Sequence, residues 1–325
     1  MQGLLNKAKS LSETEIIEIL NKDFSVEELI ELLEALFALD PKIKTEEPCF
    51  DCCGTGGDKS NTFNISTTSA IVAASLGIKI CKNGGRSSSS KTGSIDVLEE
   101  LGLDLEQSFT DKLIGLKKYN LAFHHSKLIA ETLSVFKNIA RKHKISSFLS
   151  LLGPFTNPFY LQGQIIGVGK EKWFATMTAL AQYICTKQYS KRISLIQAKD
   201  SQGQIYDELI SLAGAKLRII DAQGFFDYEF RIQDHKLTQA ELEDLEGGEN
   251  HFENAKILLS ILDKQAHACK EESVLLNCAL LKTIADKDLK KNNFAEKFKN
   301  NINSLINKVD FTQVKNNWLR LLSGH

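Results

Sequence analysis

The chain has 325 residues, 42% hydrophobic and 25% charged, proportions that exclude the disordered, fibrous and membrane-spanning classes and leave a soluble globular one. At roughly 150 residues per domain this length holds one large domain and a smaller one. Forty basic side chains against 41 acidic ones give a net charge of −1, and the pI is near 6.7, so no chain-wide basic field exists to grip nucleic acid or an anionic membrane surface.

In chain order, the first 20 residues turn acidic too early for a secretory leader, which sets the expectation of a cytoplasmic protein. Two capping boxes follow, Ser12 with Glu15 and Ser25 with Glu28, each opening an amphipathic helix. In the second helix Leu29, Leu32, Leu33 and Leu36 form a stripe that must be covered, by the rest of a helical unit or by a partner chain. Pro41 and Pro48 bracket the polar segment KIKTEE, placing a boundary between a small helical unit, residues 1–46, and a large unit, residues 47–325. Beyond it short β-rich runs alternate with helices. Strands are predicted near Cys49–Cys53, Ile78–Cys81, Ile165–Val168, Ile193–Gln197 and Lys216–Asp221, with helices over Ser69–Leu76 and Ile95–Leu101. This alternation predicts an α/β fold with a largely parallel sheet flanked by helices. Near the C-terminus Phe294, Phe298, Ile302 and Leu305 recur at helical spacing in an Asn- and Lys-rich stretch, the mark of a solvated amphipathic helix. The seven cysteines, an odd number in a long chain, read as free thiols, and Cys49-x-x-Cys52 as small hydrophobes entering a turn.

Chemistry concentrates in a few segments. In Asp51–Thr67 an apolar run stops at Gly54-Thr55-Gly56-Gly57-Asp58, where glycines let successive N–H groups converge on one point, a nest for a phosphate. Ser66, Thr67 and Thr68 then open a helix whose N-terminal N–H groups add donors. A second loop, Lys82–Gly102, sets Lys82, Arg86 and Lys91 among glycines and six small hydroxyl residues, Ser94 included, and suits another polyanionic group. LLGPFTNP, Leu151–Pro158, carries two of the four prolines and reads as a stiff hinge, with the flanking 147–165 completing the helical unit. Asp207-Glu208, an unremarkable pair alone, becomes a candidate Mg²⁺ site beside two phosphate sites. GGENHFENA, Gly247–Ala255, reads as a helix start with a structural role.

In this order and at these separations, the GTGGD, SNTFNIST, SSKTGS-D-LE, LLGPFTNP, DE, GG-x4-ENA and LLN (Leu275–Asn277) blocks resemble the anthranilate phosphoribosyltransferases, from about residue 12 to the C-terminus. The resemblance implies a small helical domain on a large α/β domain, a homodimer formed through the helical domain, and transfer of phosphoribosyl from PRPP to the amine of anthranilate with release of diphosphate. It implies PRPP contacts at Gly54, Thr55, Gly56, Gly57, Asp58, Asn64, Ser66, Thr67, Lys82 and Ser94, and Mg²⁺ at Ser66, Asp207 and Glu208. No membrane or nucleic-acid partner is expected. An oxocarbenium-like transition state with an amine nucleophile needs little general-base machinery, so the lack of a catalytic His or Cys fits the reading.

The departures fall on the acceptor side. Where the family reads Lys-His-Gly-Asn-Arg, this chain reads Lys82-Asn83-Gly84-Gly85-Arg86. An ungapped alignment back from LLGP puts Ala130 and Ala140 where the family has a His and the Arg that meets the anthranilate carboxylate. Asn83, Gly85, Arg141 and Pro154 are the acceptor-side candidates, with His124 and His125 nearby. The alternatives are a relative acting on another aromatic or amine acceptor, a phosphorylase, and, from another class, a non-catalytic nucleic-acid-binding protein.

Overall fold

The computed structural model describes residues 10–58, 60–85, 93–105, 107–125, 132–238 and 241–323. Both capping boxes form. Ser12 accepts from Glu15 N–H at the start of α1 (Glu13–Asn21), and Ser25 from Glu28 N–H at the start of α2 (Val26–Leu39). The leucine stripe of α2 is fully buried within the chain. It packs with α6 (Ser134–Lys142) and α7 (Phe148–Leu152), and against α8 (Phe174–Thr186), which lies on the sheet. Glu13 fastens α1 to the end of α6, receiving Lys142 Nζ at 2.8 Å and facing His143 Nε2 at 2.7 Å.

The sheet runs β3-β2-β1-β4-β5-β7-β8. Strands β1 (Phe50–Gly54), β2 (Ile80–Gly84), β3 (Leu121–His125), β4 (Gly163–Gly167) and β5 (Arg192–Lys199) are parallel, as the alternating pattern predicts. Beyond β5 the sheet turns antiparallel through β7 (Gly214–Asp221) and β8 (Gly224–Phe230), and the two-residue β6 (Ile205–Tyr206) pairs with the end of β5. Neighbouring residues divide between two cores. Ile165 faces the side covered by α3 (Ile65–Ser75), α10 (Ala268–Ile284), α11 (Lys291–Lys308) and α12 (Phe311–Ser323), while Ile166 faces α8 and the N-terminal helices. The predicted stripe Phe294, Phe298, Ile302 and Leu305 lies buried on α11, and its two phenylalanines pack against Phe226 and Tyr228 of β8.

Chain order places the site. From β1 the chain steps outward to β2 and β3, then returns to add β4 on the other side of β1. That reversal leaves a crevice at the carboxyl ends of β1 and β4, where Gly54 and Gly167 stand in register. The fully buried Asp51 knits the floor. Its carboxylate accepts from the N–H groups of Cys52 and Asn83 and from the side-chain amides of Asn157 (2.8 Å) and Gln164. Burial nonetheless holds its pKa above the ordinary value. Asn157 belongs to LLGPFTNP, where Pro154 opens a 3₁₀ turn over Gly153–Thr156. Lys42, from the predicted boundary segment, donates to the carbonyls of Phe155 and Asn157 and lies over the Phe37 ring. The stiff segment is thus tied to Lys42 on one side and to Asp51 of β1 on the other. Among the described residues no helix is long and apolar enough to cross a membrane.

Candidate active site

The loop after β1 builds one wall of the crevice. Gly56 and Gly57 take φ of 65° and 84°, a left-handed backbone that most other residues adopt only at a cost. Thr55 locks the loop to β4, its N–H donating to Gly167 O and its hydroxyl accepting from Gly169 N–H, each at 2.9 Å. At Gly167 a Cβ would lie 1.4 Å from the carbonyl oxygen of Asp207, so glycine here lets the Asp207 backbone cross the end of β4.

That crossing joins two segments 150 residues apart. Asp207 Oδ2 accepts from Gly56 N–H at 2.8 Å, and Glu208 Oε1 accepts from Ser66 N–H at 2.7 Å in the first turn of α3. Both carboxyls are half-buried beside Asp58 at the cavity wall. Burial, then Asp58 and Glu208, push Asp207 well above the usual carboxylate range, and burial with Asp58 raises Glu208 to about 7. Asn277 of the LLN block holds the pair from behind, accepting from Leu209 N–H and donating to Leu209 O.

Lys82, 2% exposed, enters from β2 and donates to Cys52 O and, at 3.4 Å, to Ser66 Oγ. Burial alone would lower its pKa, but the acidic groups around it, Cys52 and Asp51 foremost, hold it above the ordinary lysine value. The ammonium therefore stays charged. Three oxygens of residues that line the same cavity, Asn64 Oδ1, Thr67 Oγ1 and Asn83 Oδ1, are buried without a hydrogen-bond partner among the described residues. Buried polar atoms left so are costly unless something fills the space they face.

The space is a cavity of about 340 Å³. It brings together every residue expected to contact PRPP or Mg²⁺: Gly54 to Asp58, Asn64, Ser66, Thr67, Lys82, Ser94, Asp207 and Glu208. Of the acceptor-side candidates, Asn83, Gly85 and Pro154 line it too. Arg141 does not; it is exposed, while Ala140, one step earlier on α6, faces the cavity. Gly85 leaves open space, since a Cβ there would meet nothing within 4 Å among the described residues. Ala130, Arg86, Lys91 and the hydroxyl run 87–90 and 92 lie outside the described residues.

Sequence reasoning missed Lys137, Gly248 and Asn254, which also line the cavity. Lys137 precedes Ala140 by three residues, one helical turn along the same face, a periodicity legible once α6 is placed. Asn254 bridges the turn of GGENHFENA by donating to Gly248 O and accepting from Gly248 N–H, so that segment shapes the cavity rim as well as starting a helix. The arrangement joins a backbone anion nest, a buried ammonium and paired acids needing a cation. It is equipped to hold a polyphosphate.

The sequence profile of the glycosyl transferase family, a/b domain, matches residues 46–304. An anthranilate phosphoribosyltransferase from Dictyoglomus turgidum is 36% identical over 261 residues, 78% of this chain and 73% of that protein. The crystal structure of the anthranilate phosphoribosyltransferase of Thermus thermophilus superimposes with a TM-score of 0.76 at 22% identity, covering 99% of this chain and 93% of that one. A Saccharomyces cerevisiae enzyme of the same name, solved in complex with PRPP and Mg, gives a TM-score of 0.70 at 22% identity, covering 93% and 81%.

Proposed function

Because this chain belongs to the anthranilate phosphoribosyltransferase family, we propose that its cavity binds PRPP and Mg²⁺ and transfers the phosphoribosyl group to the amine of anthranilate, releasing diphosphate. The observation that carries this reading is the meeting of the Gly54–Asp58 nest, Lys82 and the Asp207-Glu208 pair in one cavity. The nest and Lys82 receive the diphosphate, and Asn64, Ser66, Thr67 and Ser94 take the remaining oxygens of the donor. Ser66, Asp207 and Glu208 suit Mg²⁺, a hard cation held through carboxylate and hydroxyl oxygens together with substrate phosphates. Two half-buried acids with raised pKa values beside a third carboxylate form a donor set that a divalent cation would relieve. When bound, the cation neutralises charge on the departing diphosphate. The anomeric C–O bond breaks, its electron pair leaving with the diphosphate; the amine lone pair forms the new C–N bond and the amine proton passes to solvent. Diphosphate release on mixing PRPP, Mg²⁺ and anthranilate tests the reading. No turnover with anthranilate, but turnover with another amine, would transfer the activity to that acceptor.

Lys137 replaces the missing arginine on the acceptor side. It lines the cavity together with the apolar Ala140, Ile145, Leu149 and Pro154 and the small hydroxyls Ser147, Ser150 and Thr156, a cation beside an apolar strip that matches an aromatic acid. Losing one charge-assisted contact costs about 1.5–3 kcal/mol, so Lys137→Ala is expected to raise the KM for anthranilate about 10- to 150-fold and leave that for PRPP near wild type. An unchanged anthranilate KM would remove Lys137 from this role. The family reading also carries a cytoplasmic location and a homodimer. Since the α2 stripe is consumed within the chain, the dimer contact would use other surface of the helical unit, and light scattering on the purified protein measures its mass.

A further inference from the structure

Outside the catalytic cavity one cluster of side chains has the composition of a metal site. Asp244, His267 and Cys269 each offer one ligand atom, and these atoms all lie within 4.8 Å of one another. His267 Nδ1 sits 2.8 Å from Cys269 Sγ, and its Nε2 lies 3.8 Å from Asp244 Oδ1. Cys269 is fully buried at the start of α10, while His267, just before the helix, is half exposed and leaves a side open to solvent. Asp244 is engaged through Oδ2 with the N–H of Glu241, which leaves Oδ1 available. The neighbouring charges are already committed: Lys270 Nζ donates to Glu246 O, and Glu272 receives Thr238.

We infer that Asp244, His267 and Cys269 form a second cation site, for a divalent metal of the zinc type. The donor set decides the class. A sulfur and an imidazole nitrogen with one carboxylate oxygen are the ligands of Zn²⁺, whereas Mg²⁺ takes oxygens and would leave this cluster for the Asp207-Glu208 pair. Bonds of about 2.0–2.3 Å place tetrahedral ligands about 3.5 Å apart, and the three donor atoms, all within 4.8 Å of one another, need to move by only about an ångström. On binding, the Cys269 thiol gives its proton to solvent and the imidazole ligates in its neutral form. Water completes the shell on the open side.

Position gives the site a purpose. Asp244 lies in the 3₁₀ turn Leu242–Leu245, and the chain that follows braces the catalytic loop: Leu245 O accepts from Phe63 N–H, Glu246 bridges Thr62, and Gly247 N–H donates to Asn61 O at 2.8 Å. At the other end, Cys269 O accepts from Ser273 Oγ of its own helix and from Ser211 Oγ, which follows Asp207 and Glu208 in the chain. A cation here would clasp the two supports of the cavity together without entering it. The cysteine count alone does not reveal this site, since its other ligands are a histidine two residues away and an aspartate 25 residues away.

The experiment is a Co²⁺ titration of the full, reduced chain, which does not depend on the catalytic reading. The expected result is a single tight Co²⁺ with a thiolate-to-metal charge-transfer band in the near ultraviolet, displaced by Zn²⁺. Cys269→Ser should abolish the band, His267→Gln should weaken binding at least about tenfold, and Asp207→Asn with Glu208→Gln should leave the band intact. Absence of a sulfur band in the wild type, or its persistence in Cys269→Ser, would overturn the assignment. Should Cys269→Ser fail to fold, the exposed His267→Gln decides, with undiminished Co²⁺ affinity refuting the site.

Discussion

Lys82→Met is expected to weaken PRPP binding about 10- to 150-fold in the presence of Mg²⁺, the loss of one charge-assisted contact of about 1.5–3 kcal/mol. The side chain is 2% exposed and held charged by its acidic surroundings, so its ammonium is organised before any ligand arrives. Its bond to Ser66 Oγ is long at 3.4 Å, a contact readily exchanged for a phosphate oxygen. Methionine keeps the apolar stem and removes the charge together with the donors to Cys52 O and Ser66 Oγ. The price is paid partly in stability, because Asp51 and Glu208 lose their cation, and a buried ion missing its partner is costly. Binding and folding must therefore be measured separately, by calorimetric titration of PRPP and of diphosphate alone, and by thermal unfolding. Equal fold-losses for PRPP and diphosphate would locate the contact on the diphosphate. A folded Lys82→Met protein with wild-type affinity for both would remove Lys82 from the donor site.

What could be read from the sequence was what local chemistry decides. Ser12 with Glu15 and Ser25 with Glu28 started helices because each box is complete within four residues. The phenylalanine stripe of α11 fixed which face is buried, and the glycines after β1 fixed a left-handed loop. Chemistry that depends on distant segments was legible only as a candidate, Asp207-Glu208 drawing notice solely because two phosphate loops had been read elsewhere in the chain. Nothing in the string Asp207-Glu208 says that its carboxylates will cap Gly56 and Ser66, because those bonds depend on the Asp207 backbone, just after β6, crossing the end of β4. Asp51 gave no signal either, being one acid in an apolar run whose partners come from β2, LLGPFTNP and β4. The strands missed were β3, the two-residue β6 and β8. LAFHH is short and ends in two histidines, and β8 at the end of the sheet keeps its phenylalanines and tyrosine half exposed except Phe230. Arg141 was offered as a substitute cation on proximity in sequence. Helix geometry instead turns Ala140 and Lys137 toward the cavity.

Joint replacement of Asp207 by Asn and Glu208 by Gln is expected to abolish Mg²⁺-dependent turnover while making the metal-free protein more stable above neutral pH. The amides preserve shape and both acceptors, so Gly56 N–H and Ser66 N–H keep their bonds. What disappears is negative charge that burial and Asp58 disfavour. The sign follows from linkage. Glu208 titrates near 7 in the folded chain against an ordinary value of 4.5, so the folded state holds the extra proton between those limits. Stability of the metal-free wild type therefore falls as pH rises from about 4.5 to about 7, and Asp207, also raised, adds to the fall. Divalent cation should reverse that loss, and its apparent affinity should drop as pH falls below about 7, where it competes with the proton. The double variant should lose the part of the slope due to this pair, keeping that of other raised groups such as Asp51, and lose the cation response, with its Tm above that of the metal-free wild type at pH 8 by roughly 2 °C for each kcal/mol relieved. Thermal unfolding across pH, with and without Mg²⁺ and diphosphate, measures all three. If wild type and variant gave the same pH slope and the same Mg²⁺ dependence, the cation would be held elsewhere, and the paired acids would be no more than ties between α3 and the loop after β1.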